Sequence, residues 1–152
     1  LEYCRRIAEK KIQALELADD EIALCADTTV ALGRRILGKP SDRKEASSFL
    51  SLLSGRRHKV ITCVAVKKQN QFKVKDVISV VKMKVLSFQE IEDYLDSGDW
   101  EGKAGGYGIQ GPAASFIPWI SGSYTGIVGL PLTETMSLLG SLKYPVFGSK
   151  DG

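Results

Sequence analysis

A carboxylate stands directly after a short apolar segment near the start of the chain. Residues 22–26 (Ile-Ala-Leu-Cys-Ala) have the pattern of a buried β-strand, and Asp27, Thr28 and Thr29 follow at once. Desolvating a carboxylate is costly unless a partner compensates, and strand ends in α/β sheets are places where ligands collect. Position alone leaves two interpretations of Asp27: a general base or divalent-metal ligand, or a carboxylate that caps a turn. Thr28 could likewise bond a ligand or only its own turn.

Two further stretches supply cations and accessible backbone. Lys39 precedes Pro40, so its backbone is extended and its side chain projects from a fixed point. In residues 103–111 (Lys-Ala-Gly-Gly-Tyr-Gly-Ile-Gln-Gly), Lys103 and Gln110 bracket glycines whose backbone N–H groups can approach a ligand closely. Gln110 offers a donor and an acceptor to a base edge. Each residue alone also suits an ordinary surface or turn position, but together they favour a polyanionic substrate and hydrolysis of a phosphate ester or anhydride.

The elements that must position these residues follow from periodicity. Residues 2–18 predict an amphipathic helix whose apolar stripe is interrupted by Lys11, which either snorkels to the surface or points its ammonium into a pocket. The rest of that stripe is Cys4, Ile7, Ala8, Leu15 and Ala18. The next elements are predicted as a hairpin over 29–37, a helix from the capping pattern at 42–45 to 54–55, a central strand over 58–67 and a strand through 85. They are followed by a helix opened by the capping box at 87–90, with Phe88, Ile91 and Leu95 on one face, a strand over 115–120, a turn over 122–126 and a last helix from 131 to 139.

Composition limits the class of protein. With 152 residues, 43% hydrophobic and 26% charged, the chain suits one globular domain with a sizeable core. A net charge of +3 is too small to indicate nucleic acid, and the sequence has neither a signal-peptide pattern nor an apolar run of about 20 residues, so neither nucleic acid nor membrane is an expected partner. The three cysteines lie in apolar segments and predict reduced thiols in a cytoplasmic protein. His58, the single histidine, has no companion residues for a nucleophile or metal site and is predicted to be structural.

Taken together, these motifs resemble the Maf family of nucleotide pyrophosphatases. The matching stretches cover essentially the whole chain in the family's order: 26–30, 38–40, 53–55, 58–60 with Thr62, 103–111 and 122–131. The resemblance implies an α/β fold of the Maf or ITPase-like kind, with a twisted mixed β-sheet flanked by helices and a cleft between two lobes. It also implies hydrolysis of a nucleoside triphosphate to the monophosphate and pyrophosphate, assisted by a divalent cation, Mg²⁺ or Mn²⁺.

The resemblance assigns roles to individual residues. Asp27 is the implied proton acceptor and metal ligand, and Lys11 and Lys39 are the implied phosphate-side lysines. Thr28 and Gln110 resemble the branch that acts on dTTP and UTP, with modified pyrimidine nucleotides left open, and Lys103 is expected on the substrate side. A non-catalytic role in cell division, binding a nucleotide or a protein, is the alternative. The expected partner is the nucleoside triphosphate, and a homodimer is left open.

One departure from the family concerns the front of the chain. Maf proteins open with a strand and a Ser-x-Ser-Pro-Arg-Arg type loop that grips the triphosphate, and both would precede Leu1. We therefore expect residues 1–152 to form a single Maf-like domain without that amino-terminal strand and phosphate loop.

Overall fold

The computed structural model describes residues 2–148 and contains a five-stranded sheet with helices on both faces. The α-helices are α1 (Glu2–Gln13), α2 (Arg43–Leu53), α3 (Phe88–Asp96), α4 (Tyr124–Val128) and α5 (Leu132–Ser141). The strands are β1 (Ala23–Leu32), β2 (Arg35–Leu37), β3 (Arg57–Lys68), β4 (Gln71–Lys82) and β5 (Trp119–Ser121). Two short 3₁₀ helices span Ala104–Gly106 and Pro112–Phe116. None of the helices within residues 2–148 is long and apolar enough to cross a bilayer.

The strands are ordered β2-β1-β3-β4-β5, and every neighbouring pair is antiparallel. The predicted α/β class, with a sheet flanked by helices, is confirmed, although the pairings among the described strands are antiparallel throughout and not mixed. The predicted hairpin is formed by β1 and β2, and β3 lies at the centre of the sheet as expected. Because β3 is covered on both faces, its residues from Val60 to Val66 are all buried.

Each face of the sheet carries its own hydrophobic core. On one face, Cys4, Ala8 and Ile12 of α1 pack against β3 residues such as Cys63. On the other face, α2 and α3 pack against Val30, Val60 and Val81 together with aromatic residues from the glycine-rich segment and its neighbours.

Two sequence predictions at the start of the chain are wrong. The first helix ends at Gln13, not near residue 18, and Leu15 is 42% exposed because the chain has left the sheet there. The first strand does not end before Asp27 but continues to Leu32. Its pairing with β3 runs without interruption from Ala23 to Ala31 and satisfies the backbone where the polar sequence favoured a turn.

The predicted helix starts are confirmed, and their side-chain details differ. The Asp42 side chain accepts from the backbone N–H of Glu45 at 2.8 Å. The Glu45 carboxylate accepts from the backbone N–H of Ser41, not from that of the N-cap residue Asp42. At α3 the full reciprocal capping box between Ser87 and Glu90 is present. Phe88, predicted to share a helix face with Ile91 and Leu95, is 77% exposed, since it is the first residue of the helix and the core is reached only one turn later.

The later part of the chain departs most from the predicted elements. The strand expected to run through Val85 ends at Lys82, and Val85 is 76% exposed. The strand expected over 115–120 is a 3₁₀ helix followed by the short β5. The turn expected over 122–126 contains the start of α4, whose N-cap is Ser123. The last helix is confirmed, with Pro131 at its N-cap position.

Candidate functional site

A cleft of about 560 Å³ lies between β1 and the glycine-rich segment 102–111, with α4 contributing part of the wall. Its lining is mixed: charged side chains stand next to apolar residues such as Val30, Val60 and Ile127. All six residues that the sequence singled out for the site line this one cleft: Lys11, Asp27, Thr28, Lys39, Lys103 and Gln110.

Strand β1 delivers two of these side chains to opposite faces of the sheet. Successive residues of a strand alternate in direction, so Asp27 and Thr28 point apart. Asp27 faces α1, where its Oδ1 accepts from Lys11 Nζ at 2.9 Å. The Asp27 carbonyl accepts from the Cys4 thiol at 2.9 Å, which ties α1 to this point of the strand. Lys11, which interrupts the apolar stripe, therefore directs its ammonium to the carboxylate at the cleft.

Lys39 enters the cleft from the loop after β2. Its side chain is exposed, and no carboxylate of residues 2–148 lies within ion-pairing distance of its ammonium. The loop is held in place because the Gly38 carbonyl accepts the backbone N–H of Gly105 at 3.0 Å. The charge of Lys39 is thus available to a ligand in the cleft.

Three of the four glycines in residues 103–111 have their backbone N–H groups engaged within the protein. Gly105 has φ +70°, and a Cβ there would approach the Val30 methyl groups to 3.1 Å. The backbone N–H of Gly105 donates to the Gly38 carbonyl. The N–H of Gly106 donates to the Lys103 carbonyl, and the N–H of Gly111 donates to the Gly108 carbonyl. The expectation that these backbone N–H groups would face a ligand is therefore wrong for all three residues.

An ion pair lies against the glycine-rich segment. Lys103 Nζ donates to the carboxylate of Asp99 at 2.8 Å and to its carbonyl at 2.7 Å. A Cβ at Gly108 would meet the Lys103 stem at 3.1 Å, and one at Gly111 would collide with Asp99 Oδ2. Lys103 thus supports the segment that carries Gln110, while contact between Lys103 and a substrate stays a prediction.

Two buried hydrogen bonds anchor the same segment to the core. His58 Nε2 lies 2.5 Å from the Tyr107 hydroxyl, and Tyr94 donates its hydroxyl proton to the Gly106 carbonyl at 2.8 Å. His58 is only 2% exposed, and burial lowers the pKa of its imidazole from 6.5 to about 4. Burial also raises the pKa of both tyrosines. The prediction that His58 is structural is confirmed, since it fixes the wall of the cleft from behind.

Sequence reasoning gave no chemical role to two polar residues at this site. Asp99 was missed, although its i, i+4 spacing to Lys103 is a signal that could have found the pair. Thr62 was named in the sequence only as part of a family motif. It lies directly opposite Thr28 in the β1–β3 register, with the two Oγ1 atoms 3.0 Å apart, and it also donates to the Gly126 carbonyl at 2.6 Å. The proximity of the two threonines can be predicted only when the strand register is known.

The carboxylates of the cleft are few for a metal site made by protein ligands alone. Within residues 2–148 no group of three or more His, Cys, Asp or Glu side chains is arranged to hold a metal ion. Mg²⁺, however, is commonly bound by one or two carboxylates together with substrate phosphates and water. Asp27, whose Oδ2 is not engaged by Lys11, fits a cation of that kind that is shared with a phosphorylated substrate.

Comparison with known proteins gives one consistent result. The family described as "Maf-like protein" matches residues 1–142. A protein named dTTP/UTP pyrophosphatase from Roseobacter denitrificans is 64% identical over 142 residues, which cover 93% of this chain and 76% of the relative. Proteins of the same name from Ruegeria sp. and Zymomonas mobilis are 59% and 50% identical over 146 and 151 residues, covering 96% and 98% of this chain and 76% and 75% of each relative. The fold, the cleft and these similarities agree, and this chain belongs to the Maf family.

Proposed function

We propose that this chain is a nucleoside triphosphate pyrophosphatase that hydrolyses dTTP and UTP to the monophosphate and pyrophosphate. The observation that carries the proposal is the single cleft in which a lysine-paired carboxylate, a second lysine and the polar residues Thr28 and Gln110 meet. Relatives bearing the name dTTP/UTP pyrophosphatase support the choice of substrate.

The triphosphate binds along the side of the cleft formed by Lys11 and Lys39. The Lys11 ammonium has three N–H donors and uses one toward Asp27, so the others can reach phosphate oxygens. Lys39 has no carboxylate partner in the described part of the chain to displace. Each charge-assisted hydrogen bond contributes about 1.5–3 kcal/mol, which is enough to orient the anion.

Asp27 is the proton acceptor of the reaction. A water molecule attacks one of the phosphorus atoms that flank the oxygen bridging the α- and β-phosphates, and a new P–O bond forms. The Asp27 carboxylate takes the proton of that water as the P–O bond to the bridging oxygen breaks. The bridging oxygen leaves with the electron pair, giving the monophosphate and pyrophosphate. Lys11 holds the carboxylate in position for this transfer.

A divalent cation, Mg²⁺ or Mn²⁺, completes the proposal, with Asp27 as its protein ligand. When bound, such a cation neutralises phosphate charge and polarises the anhydride. The residues of this chain still have to bind the triphosphate and accept the proton.

The base binds at the opposite side of the cleft. Thr28 points away from the Asp27 side of β1, toward the glycine-rich segment and α4, and Gln110 lies at the rim. A glutamine can both donate to and accept from a pyrimidine edge. We assign base selection to these two residues, and modified pyrimidines that keep the same hydrogen-bonding edge are included among the substrates.

The free thiols of Cys4, Cys25 and Cys63 support a reducing, cytoplasmic setting for the reaction.

The test compares pyrophosphate release by the parent and by Asp27→Asn, with UTP or dTTP and Mg²⁺ or Mn²⁺. We expect kcat to fall by about 10²–10⁴-fold, the usual contribution of a general base. Asp20→Asn removes an exposed carboxylate that does not line the cleft and is the matched control. Equal rates for the parent and Asp27→Asn would remove Asp27 from the mechanism. Nucleotide binding without any pyrophosphate release would favour the non-catalytic regulatory role instead.

A further inference from the structure

Three groups form a hydrogen-bonded chain that leads from the interior of the protein to the cleft. The Gly126 carbonyl of α4 accepts from Thr62 Oγ1 at 2.6 Å, and Thr62 Oγ1 lies 3.0 Å from Thr28 Oγ1. Thr62 is fully buried, whereas Thr28 is partly exposed and lines the cleft. Only the Thr28 end of the chain can meet a ligand.

The number of hydroxyl protons decides which groups donate and which accept in this hydrogen-bonded chain. A carbonyl oxygen can only accept, so the single hydroxyl proton of Thr62 is committed to Gly126. The proton shared between the two threonines must then come from Thr28. Thr28 therefore presents only oxygen lone pairs to the cleft and acts there as an acceptor.

An acceptor of this kind distinguishes pyrimidines at ring position 3. Uracil and thymine carry an N3–H donor, whereas cytosine carries a bare N3 acceptor. Opposite an oxygen that has no proton to give, cytosine leaves two acceptors facing each other and unpaired. A site built to pair with one donor rejects the analogue that lacks it much more strongly than an apolar pocket would.

Resting on the function proposed above, we propose that Thr62 is a positioning residue that fixes Thr28 as an acceptor, and that this polarity selects N3–H pyrimidines over cytosine. The substrate touches Thr28, and Thr62 acts through it. The three hydrogen-bonded groups belong to β1, β3 and α4.

The experiment measures kcat/KM for UTP and CTP in Thr62→Val and Thr62→Ser. The valine variant keeps the shape but removes the hydroxyl, so the Thr28 proton is free to turn toward the cleft and donate to cytosine. We expect the UTP-to-CTP ratio to fall about tenfold or more in Thr62→Val, mainly through KM, and to return to the parent ratio in Thr62→Ser. A purely structural threonine would instead change both substrates alike.

A double-mutant cycle gives the decisive control. In a Thr28→Val background the polarity of position 28 no longer exists, so adding Thr62→Val should leave the ratio unchanged. Thermal unfolding of each variant checks that the fold is intact, and Thr62→Ala replaces the valine variant if that one does not fold. An unaltered UTP-to-CTP ratio in a folded variant without the Thr62 hydroxyl would overturn the inference while leaving the pyrophosphatase proposal standing. Absence of pyrophosphate release by the parent would overturn the pyrophosphatase proposal itself.

Discussion

The buried imidazole of His58 makes the stability of this protein depend on pH below neutrality. His58 is 2% exposed, its Nε2 contacts the Tyr107 hydroxyl, and its Nδ1 has no partner within the described residues. Protonation would place a charge and an additional N–H donor in this enclosed site, which is why burial lowers the pKa of His58 to about 4. The folded protein thus binds a proton less readily than the unfolded chain, whose histidine titrates near 6.5.

The sign and size of the effect follow from linkage. Between pH 6.5 and pH 4 the unfolded state binds more protons at this histidine, so the free energy of unfolding is fully retained above 6.5 and lost as the pH falls toward 4. Each pH unit within that window corresponds to about 1.36 kcal/mol, so lowering the pH from 7 to 5 should cost about 2 kcal/mol through His58 alone.

Two measurements check this prediction. His58 is the only histidine in the chain, so an NMR titration of its ring protons is unambiguous and should give a midpoint near 4. Urea unfolding at pH 7 and pH 5, carried out on the parent and on His58→Gln, should show a loss that is about 2 kcal/mol larger in the parent. A midpoint near 6.5, or equal losses in the two proteins, would refute the reasoning.

Two further predictions concern the glycine-rich segment. Gln110→Ala should reduce the preference for UTP over CTP, as measured by kcat/KM, by about 5- to 150-fold, equivalent to about 1–3 kcal/mol, because the base edge enclosed in the complex loses its hydrogen-bonding partner. Gln89→Ala, an exposed glutamine of α3, is the control, and uniform slowing with an unchanged ranking would contradict the assignment of Gln110. Gly105→Ala should lower the free energy of unfolding by about 1–3 kcal/mol more than Gly102→Ala, because the two have φ values of +70° and +71° but only Gly105 has Val30 against it. Equal losses would show that packing against Val30 is not what requires glycine.

Local signals in the sequence were sufficient to predict the helix starts and the central strand, which they control directly. The capping residues Asp42 and Ser87 gave the starts of α2 and α3, since a side chain that satisfies backbone N–H groups is a strictly local device. The unbroken apolar run of β3 predicted a central strand because both of its faces are covered. The sequence singled out Asp27, Lys39 and Gln110 because their residue types and motifs are typical of phosphate chemistry, and the structure brings them to one cleft.

The features that sequence reasoning missed depend on long-range contacts. The polar run from Asp27 to Thr29 favours a turn locally, but pairing with β3 supplies backbone partners and extends the strand. The opposition of Thr28 and Thr62 follows only from that register, 34 residues apart in sequence. The Asp99–Lys103 pair is local, yet its function under Gly108 and Gly111 becomes visible only when the segment folds over it.

The alternation of Asp27 and Thr28 along β1 has a consequence for how this protein can change. In the function proposed above, two neighbouring residues control separate properties, because Asp27 would serve bond cleavage from one face of the strand and Thr28 would select the base from the opposite face. Substrate range can therefore drift, or be engineered, by replacing residue 28 without disturbing the ion pair between Lys11 and Asp27. An insertion or deletion of one residue in this strand should be far more harmful than either substitution, since it would exchange the two faces and place the carboxylate on the side proposed for the base.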